Sequence, residues 1–393
     1  MSNDRIVIVG AKRTAIGSFQ GQFNGVETPQ LGAAAITGAM QQSGLEGNAI
    51  SEVIMGCVLP AGLGQAPARQ AALAAELPLS AGCTTINKVC GSGMKSVMMA
   101  HDLLKAGSAD AIVAGGMESM TNAPYLLPKA RGGYRMGHGE VLDHMFLDGL
   151  QNPYDKQMMG QFGELCADKY TFTREEQDQF SIASVERAQN AVANNTFEAE
   201  ITPVTVKTRK GENIVSQDEE PARCNVEKIP ALRAAFKKDG TVTAASSSKI
   251  SDGAAACILM RASDAEAQNI QPLATVVAHT THSQEPEWFT TAPVGAISKL
   301  LEKTGWSVDD VDLFEINEAF AVVTMAAMRE LNIDHDKVNV NGGACALGHP
   351  IGASGARLIV TLLYALQQRG LKRGIASLCI GGGEATAIAL ELP

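Results

Sequence analysis

The chain has 393 residues, of which 45% are hydrophobic and 19% charged, and its formal net charge is −10. Lysine and arginine form no run longer than Lys237-Lys238, which argues against a nucleic-acid-binding protein. The eight cysteines include no C-x-x-C pair, so we expect neither a zinc ribbon nor a disulfide framework. The apolar stretch at residues 6–9 is too short for a signal peptide or a membrane span, and we therefore expect a cytoplasmic protein.

Two parts of the chain present the same order of predicted elements. A helix at residues 31–42 precedes a short apolar strand at residues 53–55. Much later, a helix at residues 294–304 precedes a strand at residues 311–314. A repeated order of helix and strand indicates an internal duplication.

The match continues after each of these strands. Glycines after Cys90 open a helix that reaches about Ala106, and a strand follows at residues 111–114. In the second part, the segment GASG at residues 352–355 opens a helix, and a strand follows at residues 375–378. Short apolar strands joined by crossover helices are typical of sheets covered on both faces. The sequence therefore predicts a duplicated α/β protein with a parallel-type sheet.

A different region separates the two copies. It is richer in charge, glycine and proline, and its clearest helix, at residues 173–194, begins with a capping box from Thr173 to Glu176. We interpret it as an inserted, lid-like domain that supplies substrate-binding surface. The predicted boundaries are 1–120 for the N-terminal half, with about 246–270 returning to it, 121–245 for the loop domain, and 271–393 for the C-terminal half.

Cys90 lies just before a predicted helix, in the segment NKVCGSG at residues 87–93. A thiol at this position faces the positive end of the helix dipole, which favours the thiolate. The glycines that follow leave backbone N–H groups free to bind an oxyanion. A free cysteine is more often a small buried hydrophobic residue, and that interpretation suits most of the other cysteines. At Cys90 the helix start favours a nucleophile.

His349 lies among small residues in the segment GGACALGHPIG at residues 342–352. The proline after it restricts the backbone, so the imidazole is held in place. By itself such a histidine is more often bonded to a loop carbonyl. Activation of a cysteine nucleophile requires a base, however, and His349 is therefore the expected partner of Cys90.

Two further residues follow predicted strands of the second half. Cys379 ends a strand and precedes three glycines, at the place where α/β sheets carry ligand chemistry. The glycines are a poor match to G-x-G-x-x-G, so a dinucleotide site is not predicted. Asn317 follows the preceding strand and either orients a water or carbonyl, or caps the next helix. The residues alone leave both interpretations open.

Taken together, four segments resemble the thiolase family, and the likeness runs over essentially the whole chain. The segments are NKVCGSG at residues 87–93, NEAF at 317–320, the histidine segment at 342–355 and CIGGG at 379–383, in the family's order. The resemblance implies the thiolase fold, a duplicated five-layered α/β/α/β/α core with an inserted loop domain. It also implies a homo-oligomer, either a dimer or a tetramer.

The resemblance implies a role for each residue of the site. Cys90 would carry the acyl group as a thioester, His349 would deprotonate Cys90, and Cys379 would move the proton at the α-carbon of acetyl-CoA. Asn317, through a water, would join His349 in one oxyanion hole, and the N–H groups of Cys90 and Gly381 would form the other. The family's reaction uses no metal and no cofactor, because coenzyme A is itself substrate and product.

The resemblance also implies contacts to coenzyme A and to the acyl group. Beside Trp288, Phe289 stands where several relatives have smaller residues, which predicts a pocket closed to long acyl chains. The positions that match substrate contacts are Arg223 on the adenine, Ser248 on the pantetheine, Leu150 and Met159 along the tunnel, and Phe289, Ala319 and Phe320.

The implied function is a reversible Claisen condensation of two acetyl-CoA to acetoacetyl-CoA and coenzyme A, by a ping-pong route through an acyl-Cys90. The nearest alternative is a 3-ketoacyl-CoA thiolase of β-oxidation that takes longer or 2-methyl-branched substrates. A simple acyl-CoA hydrolase would not need Cys379 as a carbon base, and a non-enzymatic scaffold would not need the catalytic set. The expected partners are these thioesters and further copies of the chain, and neither nucleic acid nor a membrane.

Overall fold

The computed structural model describes residues 4–209 and 211–393. None of the helices within these ranges is both long enough and apolar enough to cross a membrane. The elements of the N-terminal part are β1 Ile6–Arg13, β2 Gly17–Ser18, α1 Thr28–Ser43, β3 Glu52–Gly56, α2 Pro67–Ala74, β4 Gly82–Ile86, α3 Ser92–Ala106 and β5 Ala111–Ser119.

The middle of the chain contributes only small hairpins beside its helices. Its elements are β6 Tyr125–Leu126, β7 Leu142–Asp143, a π-helical turn Phe146–Leu150, α4 Met159–Tyr170, α5 Arg174–Ala193, β8 Val204–Thr208, β9 Gly211–Val215 and α6 Glu220–Arg223. The helix predicted from the capping box is confirmed as α5, because the Thr173 hydroxyl accepts the Glu176 N–H while the Glu176 carboxylate accepts the Thr173 N–H.

After the middle region, β10 Ser251–Arg261 and α7 Ala262–Ala267 return to the N-terminal half. The C-terminal part then repeats the order of that half with β11 Ala274–Ser283, α8 Ala292–Thr304, β12 Leu313–Ile316, α9 Ala321–Leu331, α10 Ala344–Leu347, α11 Ser354–Arg369, β13 Arg373–Ile380 and β14 Glu384–Glu391. Short 3-10 turns lie at Gly47–Ala49, Ala130–Gly132, Val226–Ala231, Pro286–Thr291 and His335–Lys337.

The large sheet has ten strands within the described residues, in the order β12-β13-β14-β11-β1-β10-β5-β3-β4, with β2 attached to β10. Only the pairs β3–β4, β3–β5 and β12–β13 are parallel, and the others are antiparallel. The prediction of a parallel-type sheet is therefore wrong for the inner strands. A tight glycine turn joins β13 directly to β14, and such a turn produces an antiparallel pair.

The duplication is confirmed by the pairing of equivalent strands. The parallel pair β3–β5 and the antiparallel pairs that β10 makes with β5 and β1 are repeated by β12–β13 and by the pairs of β14 with β13 and β11. Helices α1 and α8 begin the two copies, and each ends at a glycine in the left-handed conformation, Gly44 (φ 67°) and Gly305 (φ 73°). Glycine at this position closes a helix without a Cβ clash.

Five layers follow from the contacts of the helices. Helix α1 packs on β1, β5 and β10, whereas α8 packs on β11, β13 and β14. Between the two halves of the sheet, α3 and α11 contact each other, and each contacts strands of both halves. The apolar side chains of these central helices form one buried core with both halves of the sheet. The layering is therefore α/β/α/β/α, as the resemblance implied.

Candidate active site

The N-terminal ends of the two central helices meet in the middle of the molecule. A Cβ added to Gly93 in α3 would lie 2.8 Å from the backbone nitrogen of Ala356, and one added to Gly355 in α11 would lie 2.3 Å from that of Met94. Only glycine permits so close an approach. The loops before these helices carry Cys90 and His349, so the contact places both residues at one site.

Cys90 follows a backbone position that few residues adopt, since Val89 has a φ of 45°. The Cys90 side chain is partly exposed, and the nearby N–H groups of Gly381 and of Cys90 itself act to lower the pKa of its thiol. Burial nevertheless raises the pKa of the thiol to about 11, against the lowering effect of these N–H groups. The expectation that the helix start favours a resting thiolate is therefore wrong, because desolvation outweighs the dipole.

The imidazole of His349 is buried, and its two nitrogens have different surroundings. Nδ1 lies 2.6 Å from the Ser354 hydroxyl, which itself donates to the Pro350 carbonyl at 2.9 Å. Because the hydroxyl proton is directed to Pro350, the Ser354 oxygen accepts from Nδ1–H, and Nε2 keeps its lone pair. Burial, followed by the nearby Arg357 charge, lowers the pKa of His349 to about 3. His349 is thus a neutral base at neutral pH.

Asn317 lies beside His349, with 3.5 Å between its Nδ2 and the histidine Nε2. Its Oδ1 is buried and has no partner among the described residues, which fits an atom that binds a water or a substrate group. The alternative interpretation as a helix cap is wrong, because α9 begins at Ala321 with Phe320 at its N-cap position. The side chain of Asn317 is therefore directed at the site rather than at a helix end.

Cys379 ends β13 and is 1% exposed. Burial raises the pKa of its thiol well above the ordinary value, and the sulfur of Cys90 adds to this shift, which places the two cysteines close together. Cys379 packs in an apolar cluster with Phe162, Phe289 and Phe320. At neutral pH both cysteines rest as thiols.

His349 lines an apolar cavity of about 200 Å³. Cys90 packs against the apolar cluster that contains two of its lining residues, Met120 and Ile351, and Cys379 belongs to the cluster that contains Phe320 and Met159. Four of the predicted substrate contacts, Leu150, Met159, Ser248 and Phe320, line the cavity. The complete lining is Met120, Phe146, Leu150, Met158, Met159, Gly160, Phe236, Ser247, Ser248, Lys249, Ile250, Phe320, His349 and Ile351.

Arg223 lines a neighbouring cavity of about 250 Å³. Lys249 lines both cavities, so they adjoin at this residue. The Arg223 side chain is more than half exposed, and it reaches the Glu219 carboxylate at 3.4 Å. Arg223 therefore lies in the second cavity, which meets the first cavity at Lys249, and it does not line the first cavity itself.

Neither Phe289 nor Trp288 is among the residues that line the first cavity. Phe289 is buried behind Cys379 and packs edge-to-face on Phe162, with 6.1 Å between the ring centroids. Trp288 lies under the ammonium group of Lys169, 4.4 Å from the ring centroid. Phe289 thus adjoins the site through Cys379, whereas Trp288 stacks against Lys169 at the side of α4.

Ala319 and Gly381 contribute mainly through their backbones. The Ala319 carbonyl accepts the N–H of Ser248 at 3.0 Å, which ties the asparagine loop to the cavity wall. A Cβ added to Gly381 would meet only the Met159 sulfur, at 3.7 Å, and Val89, at 3.8 Å. The space beside the Gly381 N–H therefore leads to the cavity.

Sequence reasoning missed three residues of the site. Ser354 fixes the tautomer of His349, Lys249 joins the two cavities, and the buried carboxylate of Glu118 accepts N–H groups from three loop residues around Cys90 and His349. Ser354 lies five residues after His349, and Lys249 follows Ser248, so proximity in sequence was the available signal. Glu118 ends a strand, where α/β sheets carry functional groups.

Known proteins resemble the chain along almost its full length. The family model described as the N-terminal domain of thiolase matches residues 6–263, and the one described as the C-terminal domain matches residues 270–392. An acetyl-CoA acetyltransferase of Pseudomonas aeruginosa is 48% identical over 98% of each chain. One of Schizosaccharomyces pombe is 46% identical over 100% of each. A crystal structure of the Bacillus anthracis acetyl-CoA acetyltransferase matches with a TM-score of 0.97 and 40% identity, covering 99% of each chain.

Proposed function

The chain belongs to the thiolase family, and we propose that it is an acetyl-CoA C-acetyltransferase. It condenses two acetyl-CoA reversibly to acetoacetyl-CoA and coenzyme A. The observation that carries the proposal is a neutral histidine that lines an apolar cavity, with an unpartnered asparagine oxygen beside it and two thiols packed with the residues that line the same cavity. A second thiol is needed only where a carbon acid must lose a proton, which distinguishes condensation from thioester hydrolysis. The named relatives do not favour the longer-chain alternative.

The first half-reaction transfers the acetyl group to Cys90. The Cys90 sulfur attacks the thioester carbonyl and loses its proton to Nε2 of His349, while the N–H groups of Cys90 and Gly381 stabilise the oxyanion. The bond from carbon to the CoA sulfur breaks. The leaving CoA thiolate takes the proton of Cys379, and CoA departs as a thiol. The enzyme then holds an acetyl-Cys90, a protonated His349 and a Cys379 thiolate.

The second half-reaction forms the carbon–carbon bond. The Cys379 thiolate removes a proton from the methyl group of a second acetyl-CoA. The enolate oxygen is stabilised by the protonated His349 and by a water that donates its other proton to Oδ1 of Asn317. The enolate carbon attacks the acetyl-Cys90 carbonyl, and acetoacetyl-CoA forms as the carbon–sulfur bond breaks. His349 returns its proton to the Cys90 thiolate. Both thiols and the neutral histidine are restored, as the resting pKa values require.

We propose that coenzyme A extends from the first cavity across Lys249 to the cavity of Arg223. The first cavity is apolar and suits the pantetheine and acyl parts, while the second carries the cationic groups of Arg223, Lys228 and Lys249. Such groups bind phosphates locally in a chain whose net charge is −10. In this proposal the loop domain, 121–245, provides most of the coenzyme-binding surface, and no metal or cofactor takes part.

We further propose that the protein works in the cytoplasm as a dimer or a tetramer. Large apolar side chains are exposed in the loop region, including Tyr125 at 67% and Met136 at 97%. Exposed apolar groups of this kind are typical of surfaces that another chain covers. Size-exclusion chromatography with light scattering measures the mass directly, and a mass near that of one 41.2 kDa chain would contradict the oligomer.

The proposed function is tested by assaying condensation and thiolysis with the same purified protein. We expect acetoacetyl-CoA from acetyl-CoA alone, and an acetyl group on the Cys90 peptide after an acid quench. Thiolysis should fall steeply beyond about six carbons, because the first cavity is small and each excluded methylene is worth about 1–3 kcal/mol. Release of acetate without acetoacetyl-CoA would indicate a hydrolase. Equal kcat/KM on a sixteen-carbon 3-ketoacyl-CoA would overturn the short-chain assignment.

A further inference from the structure

Two histidines and an aspartate converge at a place that the thiolase reaction does not use. His101 and Asp102 lie near the end of α3, and His279 lies on β11. The His101 Nδ1 is 3.0 Å and the His279 Nε2 is 2.9 Å from the same oxygen of Asp102. All three atoms lie within 4.8 Å of one another. Both imidazoles therefore direct a nitrogen towards a single point.

The spacing of these atoms suits a divalent transition metal. Imidazole nitrogens and carboxylate oxygens bind Zn²⁺ at about 2.0–2.2 Å, so neighbouring ligands in tetrahedral or octahedral geometry lie about 2.9–3.5 Å apart. The two separations from Asp102 fall in this range. Two imidazoles with one carboxylate are donors that select Zn²⁺, Co²⁺, Ni²⁺ or Cu²⁺ over Mg²⁺ or Ca²⁺.

The two imidazole side chains are only 12% and 11% exposed, and without metal each donates one ring N–H to Oδ1 of Asp102. A bound metal takes the place of these two hydrogen bonds, because each ring can carry its proton on the other nitrogen and offer a lone pair to the metal. Asp102 is 62% exposed, which provides an entry path and room for water ligands.

Two lysines bring positive charge to the same region. Lys105 and Lys303 both lower the pKa of His101 and oppose a bound cation. Each ammonium group is engaged by a backbone carbonyl, Lys105 with Asp4 and Lys303 with His279 at 3.1 Å. The lysines therefore weaken metal affinity without occupying the three ligand atoms.

We propose that His101, Asp102 and His279 form a binding site for a Zn²⁺-class divalent metal that fastens α3 to β11. Helix α3 begins two residues after Cys90, whereas β11 belongs to the C-terminal half of the sheet. The site lies nine residues into α3, about 14 Å along the helix axis from its start at Ser92. A metal there joins the two halves of the molecule and stays out of the reaction.

Cobalt provides the probe, because bound Co²⁺ absorbs visible light and can be titrated. The full-length protein is first stripped with chelator and then treated with iodoacetamide, so that the active-site thiols do not bind the metal. We expect one Co²⁺ per chain, competed by Zn²⁺, and a rise in Tm with Zn²⁺ but not with Mg²⁺. His279→Gln should abolish the signal and Asp102→Asn should weaken binding at least tenfold.

His138→Gln is the matched control, since His138 is exposed in a loop outside the cluster. It should bind Co²⁺ like the wild type. All variants should keep wild-type condensation rates and circular dichroism spectra, which separates this site from the proposed function. Wild-type protein that binds no Co²⁺, or His279→Gln and Asp102→Asn proteins that bind it equally well, would overturn the proposal.

Discussion

The two halves of the molecule repeat one framework, but they use it differently. In the C-terminal half, Asn317 follows β12, Cys379 ends β13 and His349 precedes α11. Of the described N-terminal half, the proposed mechanism uses one reacting side chain, that of Cys90, before α3. The first residues of the central helices show the same division. Ser354 bonds to His349, whereas the hydroxyl of Ser92 serves its own loop by donating to Val89 and accepting the Lys88 N–H.

The strand ends of the N-terminal half hold the other half in place. The carboxylate of Glu118, at the end of β5, accepts the N–H groups of Val58 at 2.9 Å and Leu59 at 3.2 Å. It also accepts the N–H of Gly352 at 2.9 Å, from the loop that carries His349. Burial raises the pKa of Glu118 to about 7. In the proposed mechanism, the C-terminal copy therefore provides most of the reacting side chains. The N-terminal copy provides Glu118, which holds the loops around the site together.

The largest expected effect separates the two thiols, one from each half. Cys90→Ala should abolish both acyl-enzyme formation and condensation, because no nucleophile remains. Cys379→Ala removes the proton donor to CoA as well as the base for the carbon acid. It should still form acetyl-enzyme and exchange label between CoA and acetyl-CoA, more slowly, because a thiolate can leave without a proton. Condensation has no such bypass and should fall by about 10²–10⁴-fold, the usual worth of a general base. Radiolabelled acetyl-CoA with an acid quench measures both steps. Normal condensation by Cys379→Ala would make Cys379 a packing residue.

The second expected effect compares Asn317, which follows a strand and is proposed to take part in the reaction, with Glu118, which lies at the end of a strand and supports the loops of the site. Asn317→Ala should reduce condensation by about 10²–10³-fold, as the loss of an oxyanion donor does, with little change in the free energy of unfolding. Glu118→Ala leaves three buried N–H groups without an acceptor and should lower that free energy by about 3 kcal/mol or more. Urea unfolding and initial rates are measured on both variants. A loss of stability in Asn317→Ala together with a loss of rate alone in Glu118→Ala would mean that the two halves are not specialised in this way.

The third expected effect concerns pH, through the buried imidazole of the C-terminal half. The pKa of His349 is about 3 in the folded protein and near 6.5 ordinarily. As the pH falls below 6.5, the unfolded chain gains a proton that the folded chain refuses, and stability is lost. By pH 5 this amounts to about 2 kcal/mol. Between pH 7 and pH 5, the His349→Asn protein should lose about 2 kcal/mol less of its free energy of unfolding than the wild type. Urea unfolding at fixed protein concentration measures this difference.

His101, His279 and His335 are partly buried and also have lowered pKa values, but their contribution is common to both proteins. It therefore cancels in the comparison. Identical pH dependence of the two proteins would show that His349 is not held neutral by its surroundings.

The smallest expected effect tests how Ser354 positions His349. Ser354→Ala removes the acceptor of Nδ1–H, and we expect kcat/KM for condensation to fall about tenfold, the worth of one hydrogen bond. The fall should appear in kcat rather than in KM, because the imidazole is no longer fixed in the tautomer that leaves a lone pair on Nε2. Ser96→Ala is the matched control in the other half, since its hydroxyl is equally buried but bonds to the Gly93 and Gly115 carbonyls. Equal effects of the two variants would leave Ser354 a structural role only.

The sequence by itself determined the positions of the main helices and strands, and it supplied the residues that we propose to react. Helices α1, α3, α8 and α11 begin and end within a few residues of their predicted bounds, because spacing and terminal glycines are local signals. The local segments of Cys90 and His349 predicted a nucleophile and its base, whereas the role proposed for Cys379 came from the resemblance to the thiolase family. The duplication was visible because the order of elements along the chain is repeated.

Only the tertiary structure determined the properties that depend on burial and on neighbours distant in the sequence. The thiol of Cys90 has a raised pKa because residues far along the chain remove it from water, which outweighs the local dipole. The antiparallel inner strands, the position of Phe289 behind Cys379 and the meeting of His279 with Asp102 all depend on packing between distant segments. Each of these features depends on contacts between residues far apart in the sequence, and the spacing of residues along the chain does not reveal such contacts.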